Sequence, residues 1–91
     1  MIPMEKAQIV RSLAGHDRGD LFCVMDTEGD FLFLADGKHR KVEKPKRKRA
    51  RHVSAVGNFN HPTIEKLRAG NPVGNQELRR ALAALRDQME V

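Results

Sequence analysis

The chain has 91 residues, 40% of them hydrophobic and 32% charged, and a formal net charge of +5. That length suits one domain with a small core, and the apolar content is enough for the chain to fold. Its longest apolar runs, Leu21–Met25 and Phe31–Ala35, are five residues each, against the roughly 20 that a spanning helix needs, which excludes a membrane span.

Met1 to Lys6 shows no basic segment followed by an apolar run, so no secretory signal is expected. Cys23 is the only cysteine. It cannot close an internal disulfide, which fits a reducing, cytoplasmic setting.

The first third predicts strands. Gln8–Leu13 is short and β-branched. Ala14–Asp20 reads as a loop, because its glycines and aspartates permit unusual dihedrals. Leu21–Met25 is a second strand, Asp26–Asp30 a turn and Phe31–Ala35 a third strand. Asp36-Gly37 then reads as a tight hairpin turn. The second and third strands are apolar on both faces. One face is therefore expected to fill a small curled core while something else covers the other.

Arg40–Lys44 is expected as a fourth strand with Val42 inward, ended by Pro45, which has no N–H for a ladder. Lys46–Arg51 is expected to be extended and exposed through mutual repulsion. His52–Val56 closes the sheet as a fifth strand.

The last third predicts helices. Pro62 sits near a helix start and Gly70 at a stop. A final helix runs from about Asn75 to Met89, with Leu78, Leu82, Leu85 and Met89 on one stripe. Arg79, Arg80, Arg86 and Asp87 face away from it. The stripe is the expected cover for the outer face of the sheet. The expected organisation is a β unit over 1–58, which includes the basic segment 38–51, and a helical segment over 59–91 that packs on it.

Charge is concentrated. Lys38, Arg40, Lys41, Lys44, Lys46, Arg47, Lys48, Arg49 and Arg51 face the single acid Glu43 within Lys38–Arg51, a surplus of eight positive charges. The remainder of the chain therefore carries three net negative charges. A mildly acidic body with one intensely basic segment selects polyanions. If ~5 of these side chains neutralise phosphates on single-stranded RNA, log K should fall against log salt with a slope of about −3.5. Lys46-Arg47-Lys48-Arg49 also fits a nuclear-import pattern. Attraction to anionic lipid lacks an adjacent apolar anchor. Charge alone does not separate RNA from double-stranded DNA.

Ile9–Gly19 followed by Leu21–Met25 resembles a KOW motif, in which two strands are joined through a loop ending in a glycine, here Gly19. Leu34–Arg40 and Glu43–Arg49 extend the resemblance to the short bacterial KOW-domain RNA-binding proteins. Those are in turn similar to KOW-bearing large-subunit ribosomal proteins of archaea and eukaryotes. The resemblance covers about residues 5–56.

It implies a mainly β fold, a small SH3-like barrel covered by one or two α-helices. It also implies a non-enzymatic role on ribosomal RNA or the translation machinery, within a ribonucleoprotein, with no cofactor. The motif glycines are Gly15 and Gly19. Arg11, His16 and Arg18 are expected to add RNA contacts near the loop. Asp20 departs from the family, whose members often carry Lys or Arg there, and an acid at that point repels phosphate.

Phe22, Phe31 and Phe33 lie in strands expected to be buried, which leaves Phe59 as the one aromatic able to stack on a base or to dock the helix junction. Recognition is then expected to rest on phosphate and RNA shape. His16, His39, His52 and His61 show no ligand spacing for a metal. His16-Asp17 lacks a nucleophile and an oxyanion site, so no enzyme is expected. The alternative function is a protein-interaction module of a ribosome or transcription complex.

Overall fold

A computed structural model describes residues 4–57 and 59–89. Five strands, β1 (Ile9–Ser12), β2 (Leu21–Glu28), β3 (Phe31–Ala35), β4 (Lys46–Arg49) and β5 (Val53–Gly57), precede two helices, α1 (Pro62–Arg68) and α2 (Asn75–Met89). The strands form one antiparallel sheet in the order β4-β3-β2-β1-β5. A short 3-10 turn, Ala50–His52, separates β4 from β5. The chain is mainly β with a C-terminal helix. Among the described residues no helix is long and apolar enough to cross a membrane.

Strict alternation explains the two apolar faces. Val10, Phe22, Val24, Leu32, Leu34 and Val53 pack together on one side of the sheet. Ile9, Leu21, Cys23 and Ala35, their neighbours in sequence, pack on the other side. There they meet Ile64 and Leu67 of α1 and Leu78, Ala81, Leu82 and Leu85 of α2. A strand apolar at every position thus has a partner for each face. The expected stripe of α2 is buried at Leu78, Leu82 and Leu85, with Arg79, Arg80, Arg86 and Asp87 exposed.

β2 is eight residues long, three more than its apolar run, and its register with β3 shifts between Val24 and Asp26. Such a bulge bends the strand and sharpens its twist. β1 pairs with the first part of β2, and β3 pairs along the rest.

The stretch after β3 differs from expectation. Arg40–Lys44 forms no strand. Asp36-Gly37 opens a long connection rather than a two-residue hairpin. Asp36 Oδ1 accepts from Lys38 N at 2.9 Å and Arg40 N at 2.8 Å, which folds the segment into a local turn. Asp36 Oδ1 takes Arg40 N, Asn75 Oδ1 takes Val42 N and Lys41 O takes Lys44 N, so the donors a ladder would need are already used. Pro45 precedes the fourth strand instead of ending it. The basic run itself becomes β4, and its backbone pairs with β3 from Leu34–Lys46 to Phe31–Arg49. Pairing with a ready sheet edge outweighs the repulsion that makes the isolated run extended and exposed. The expected unit boundary at Asn58 lies outside the described residues.

Candidate nucleic-acid interface

The loop between β1 and β2 is closed by backbone bonds from Gly19 N to Ser12 O at 2.8 Å and from Ser12 N to Asp20 O at 3.0 Å. Gly19 has φ +91° and Gly15 φ +88°, in the left-handed region that glycine enters without a Cβ penalty. Both glycines therefore shape the turn.

Inside this loop sits a polar cluster built around Asp17. Lys46 Nζ donates to Asp17 Oδ2 at 2.6 Å, and Lys48 Nζ donates to Asp17 Oδ1 at 2.7 Å. Lys48 also donates to Ala14 O at 2.7 Å and to the Ser12 hydroxyl at 2.5 Å. Burial alone would raise the Asp17 carboxyl. The hydrogen bonds from Lys46, Lys48 and Ser12, and the charge of Lys48, outweigh it and hold the group well below the usual carboxylate range.

The register explains the arrangement. Lys46 and Lys48 lie opposite Leu34 and Leu32, the inward positions of β3, so their side chains turn inward with them. Lys48 is only 8% exposed. Two of the nine expected RNA-binding cations, Lys46 and Lys48, are thus turned into the fold. Lys48 is a structural ammonium, because a polar inner loop offers it a carboxylate and a carbonyl.

The other seven cations of the segment, Lys38, Arg40, Lys41, Lys44, Arg47, Arg49 and Arg51, are exposed. Among the described residues none of them is in an ion pair. Glu43 forms no ion pair with them and turns to α2. Asn75 Nδ2 donates to both Glu43 carboxylate oxygens, at 2.8 and 3.0 Å, and this holds the Glu43 carboxyl below its ordinary value.

Asn75 Oδ1 meanwhile accepts from Val42 N at 2.8 Å. Gly37 is buried beneath the start of α2, where a Cβ would stand 2.3 Å from Asn75 O. The loop carrying Lys38, Arg40, Lys41 and Lys44 is therefore pinned to the helix. Fixed positive sites cost less entropy to engage than sites on a free loop.

Near the first loop, His16 and Arg18 are exposed. Arg11 is half-buried and donates from Nη1 to Gly19 O at 3.0 Å. It lines a cleft of about 360 Å³ with Gly19, Asp20, Leu21, Arg86 and Met89. A second cleft of about 160 Å³ adjoins it, where Lys38 and His39 meet Arg79 and Arg86. Arg79 and Arg86 are not legible as site residues in the sequence, because a helical period shows which side chains face outward, not which loop lies beside them. Asp20 and Asp36 also line these clefts, so their charge is mixed.

The aromatic expectation is corrected. Phe22 is buried, but Phe31 and Phe33 are half-buried and belong to neither core. They alternate with Leu32 and Leu34 and so share the helix-facing side of the sheet with Ala35, beyond the reach of α1 and α2. There Arg49 lies opposite Phe31 and Arg47 opposite Phe33. Arg47 Cζ stands 3.7 Å from the Phe31 ring centroid and Arg49 Cζ 4.9 Å from it. A five-residue apolar run gives no sign that its odd positions will outrun their cover. Phe59 packs, half-buried, against the helix-side core.

Among the described residues no three His, Cys, Asp or Glu side chains come together as metal ligands would. Cys23 is fully buried, and burial pushes its thiol up to about 12, far from thiolate reactivity. The Asp17 carboxylate is committed to Lys46 and Lys48 rather than to His16.

Compared with known families and with curated proteins, the chain matches no family model and no curated protein.

Proposed function

We propose that this chain is a non-enzymatic RNA-binding module that grips the phosphate backbone with the exposed cations of Lys38–Arg51. The observation that carries the reading is the set of seven exposed cations, without an ion pair among the described residues, displayed by one pinned loop, one edge strand and the turn after it. A polyanion is the partner that such a surface fits, because each cation that meets a phosphate releases a condensed counterion.

The five-stranded order, the bulged long β2 and the 3-10 turn before β5 support reading the sheet as an SH3-like barrel of KOW type. The resemblance of residues 5–56 to KOW-domain proteins makes ribosomal RNA the partner of choice and the cytoplasm the place of action.

The test is a titration of labelled ribosomal RNA fragments across salt concentrations. With ~5 phosphate contacts the slope of log K against log salt should be about −3.5. A slope near zero overturns the reading. Co-sedimentation with ribosomes at low but not high salt is expected alongside. Retention of a protein partner after nuclease treatment, with no RNA affinity, would instead mark a protein-interaction module.

A further inference from the structure

We propose that the outer face of β3 and β4 is a stacking site for an unpaired nucleotide, so that the module prefers single-stranded RNA to duplex. This inference rests on the RNA-binding reading above and sharpens it.

Three parallel rows of side chains meet on this face. Glu28 of β2, Phe31 of β3 and Arg49 of β4 stand in register, and so do Asp26, Phe33 and Arg47. An acidic row, an aromatic row and a basic row thus lie side by side at the spacing of neighbouring strands, about 5 Å apart.

The basic row does not pair with the acidic one. Among the described residues neither Asp26 nor Glu28 forms an ion pair with Arg47 or Arg49. Both guanidinium groups instead converge on the Phe31 ring, and Arg47 crosses diagonally from its own partner Phe33 to reach it.

Two cations drawn to one ring repel each other, and the face of one aromatic ring offsets only part of that. An anion between them removes the conflict. A ring with a guanidinium at stacking distance also forms an extended π surface on which a base can lie. One nucleotide satisfies both demands at once, its phosphate between Arg47 and Arg49 and its base over the Phe31–Phe33 row. The acidic row repels phosphate from the far side and so sets the direction, with the backbone along β4 and base edges toward β2. Carboxylates there are acceptors for base amino groups.

A duplex cannot stack on this face, since the faces of its bases are stacked on one another and only backbone and groove edges are exposed. Phosphate contact alone explains the seven cations but gives no reason for two half-buried phenylalanines left outside both cores.

The experiment compares fluorescence anisotropy of a short single-stranded RNA and of the corresponding duplex, at low and high salt. The proteins are wild type, Phe31→Leu and Arg47→Lys, with circular dichroism to check folding. Arg47→Lys keeps the charge and lies on an exposed edge strand, so it carries the test if Phe31→Leu fails to fold.

Loss of the stacking surface should weaken single-strand binding about tenfold in each variant, with the salt slope unaltered, and Phe31→Leu should change duplex binding less than about twofold. A 2-aminopurine placed in the strand should be quenched by wild type and less by either variant. If wild type binds RNA with a steep salt slope but Arg47→Lys binds single strands equally well, or Phe31→Leu loses single-strand and duplex affinity alike, the stacking site is wrong and the RNA module stands. If wild type binds neither form, both fall together.

Discussion

Lys48 shows how one residue changes meaning once its face is known. Within a run of lysines and arginines it looks like any other solvated cation, yet its Nζ is fixed by Asp17, Ser12 and Ala14. A buried ammonium is tolerated when its charge and its protons are all met, and removing the carboxylate leaves it uncompensated. Asp17→Asn should therefore destabilise the protein by about 3 kcal/mol at neutral pH, read by urea unfolding. The pH dependence follows from the direction of the shift. The folded-state carboxyl of Asp17 lies below its unfolded value. Its stabilisation is complete above the ordinary carboxylate range, near pH 4, and is lost as pH falls through the folded value. Wild type should lose stability progressively below about pH 4, while Asp17→Asn shows a flatter acid limb. Identical acid limbs in the two proteins would remove Asp17 from that role.

At the scale of elements, the contact between the loop after β3 and the first turn of α2 decides whether four cations are fixed or free. Gly37 makes it possible, with φ +80° and no room for a side chain against the Asn75 carbonyl. Backbone atoms of a helix turn cannot yield as a flexible side chain would. Gly37→Ala should cost at least about 2 kcal/mol from backbone strain alone, and the helix must shift besides. Loss of the Asn75 bond to Val42 N should follow, visible as faster amide exchange at Val42. Unchanged exchange would show that Asn75 and the loop are held by other means. The α1–α2 pair is tied elsewhere by Lys66 and Glu77 at 2.8 Å, an exposed bridge of small weight.

For the whole molecule, charge is distributed by side of the fold rather than by stretch of chain. Lys46 and Lys48 are taken inward by Asp17, while Arg47, Arg49 and Arg51 stay outward. Replacing Arg47, Arg49 and Arg51 together by glutamine should make the salt slope for single-stranded RNA shallower by about 2, at roughly 0.7 for each phosphate left without a cation. Replacing Lys48 alone should lower stability and leave the slope unchanged. Anisotropy titrations at several salt concentrations separate the two, and an equal drop in slope from both sets would mean that position on the strand has no influence on binding.

The linear sequence by itself determined most of the element types, the fourth strand excepted, and the density of surface charge. Strands Leu21–Met25 and Phe31–Ala35, the helix from Asn75 and the dense basic segment are local properties of composition and period. The need to cover two sheet faces also followed from runs apolar at every position. Which lysines are structural, why Arg40–Lys44 is not a strand, and where the aromatic row emerges were decided only in three dimensions. Register with β3 turns Lys46 and Lys48 inward, Asp36 and Asn75 capture N–H groups that a ladder would use, and Phe31 and Phe33 lie outside the core that α1 and α2 form with the sheet. Each of these depends on residues distant in the chain becoming neighbours, and periodicity holds no record of which neighbours those will be.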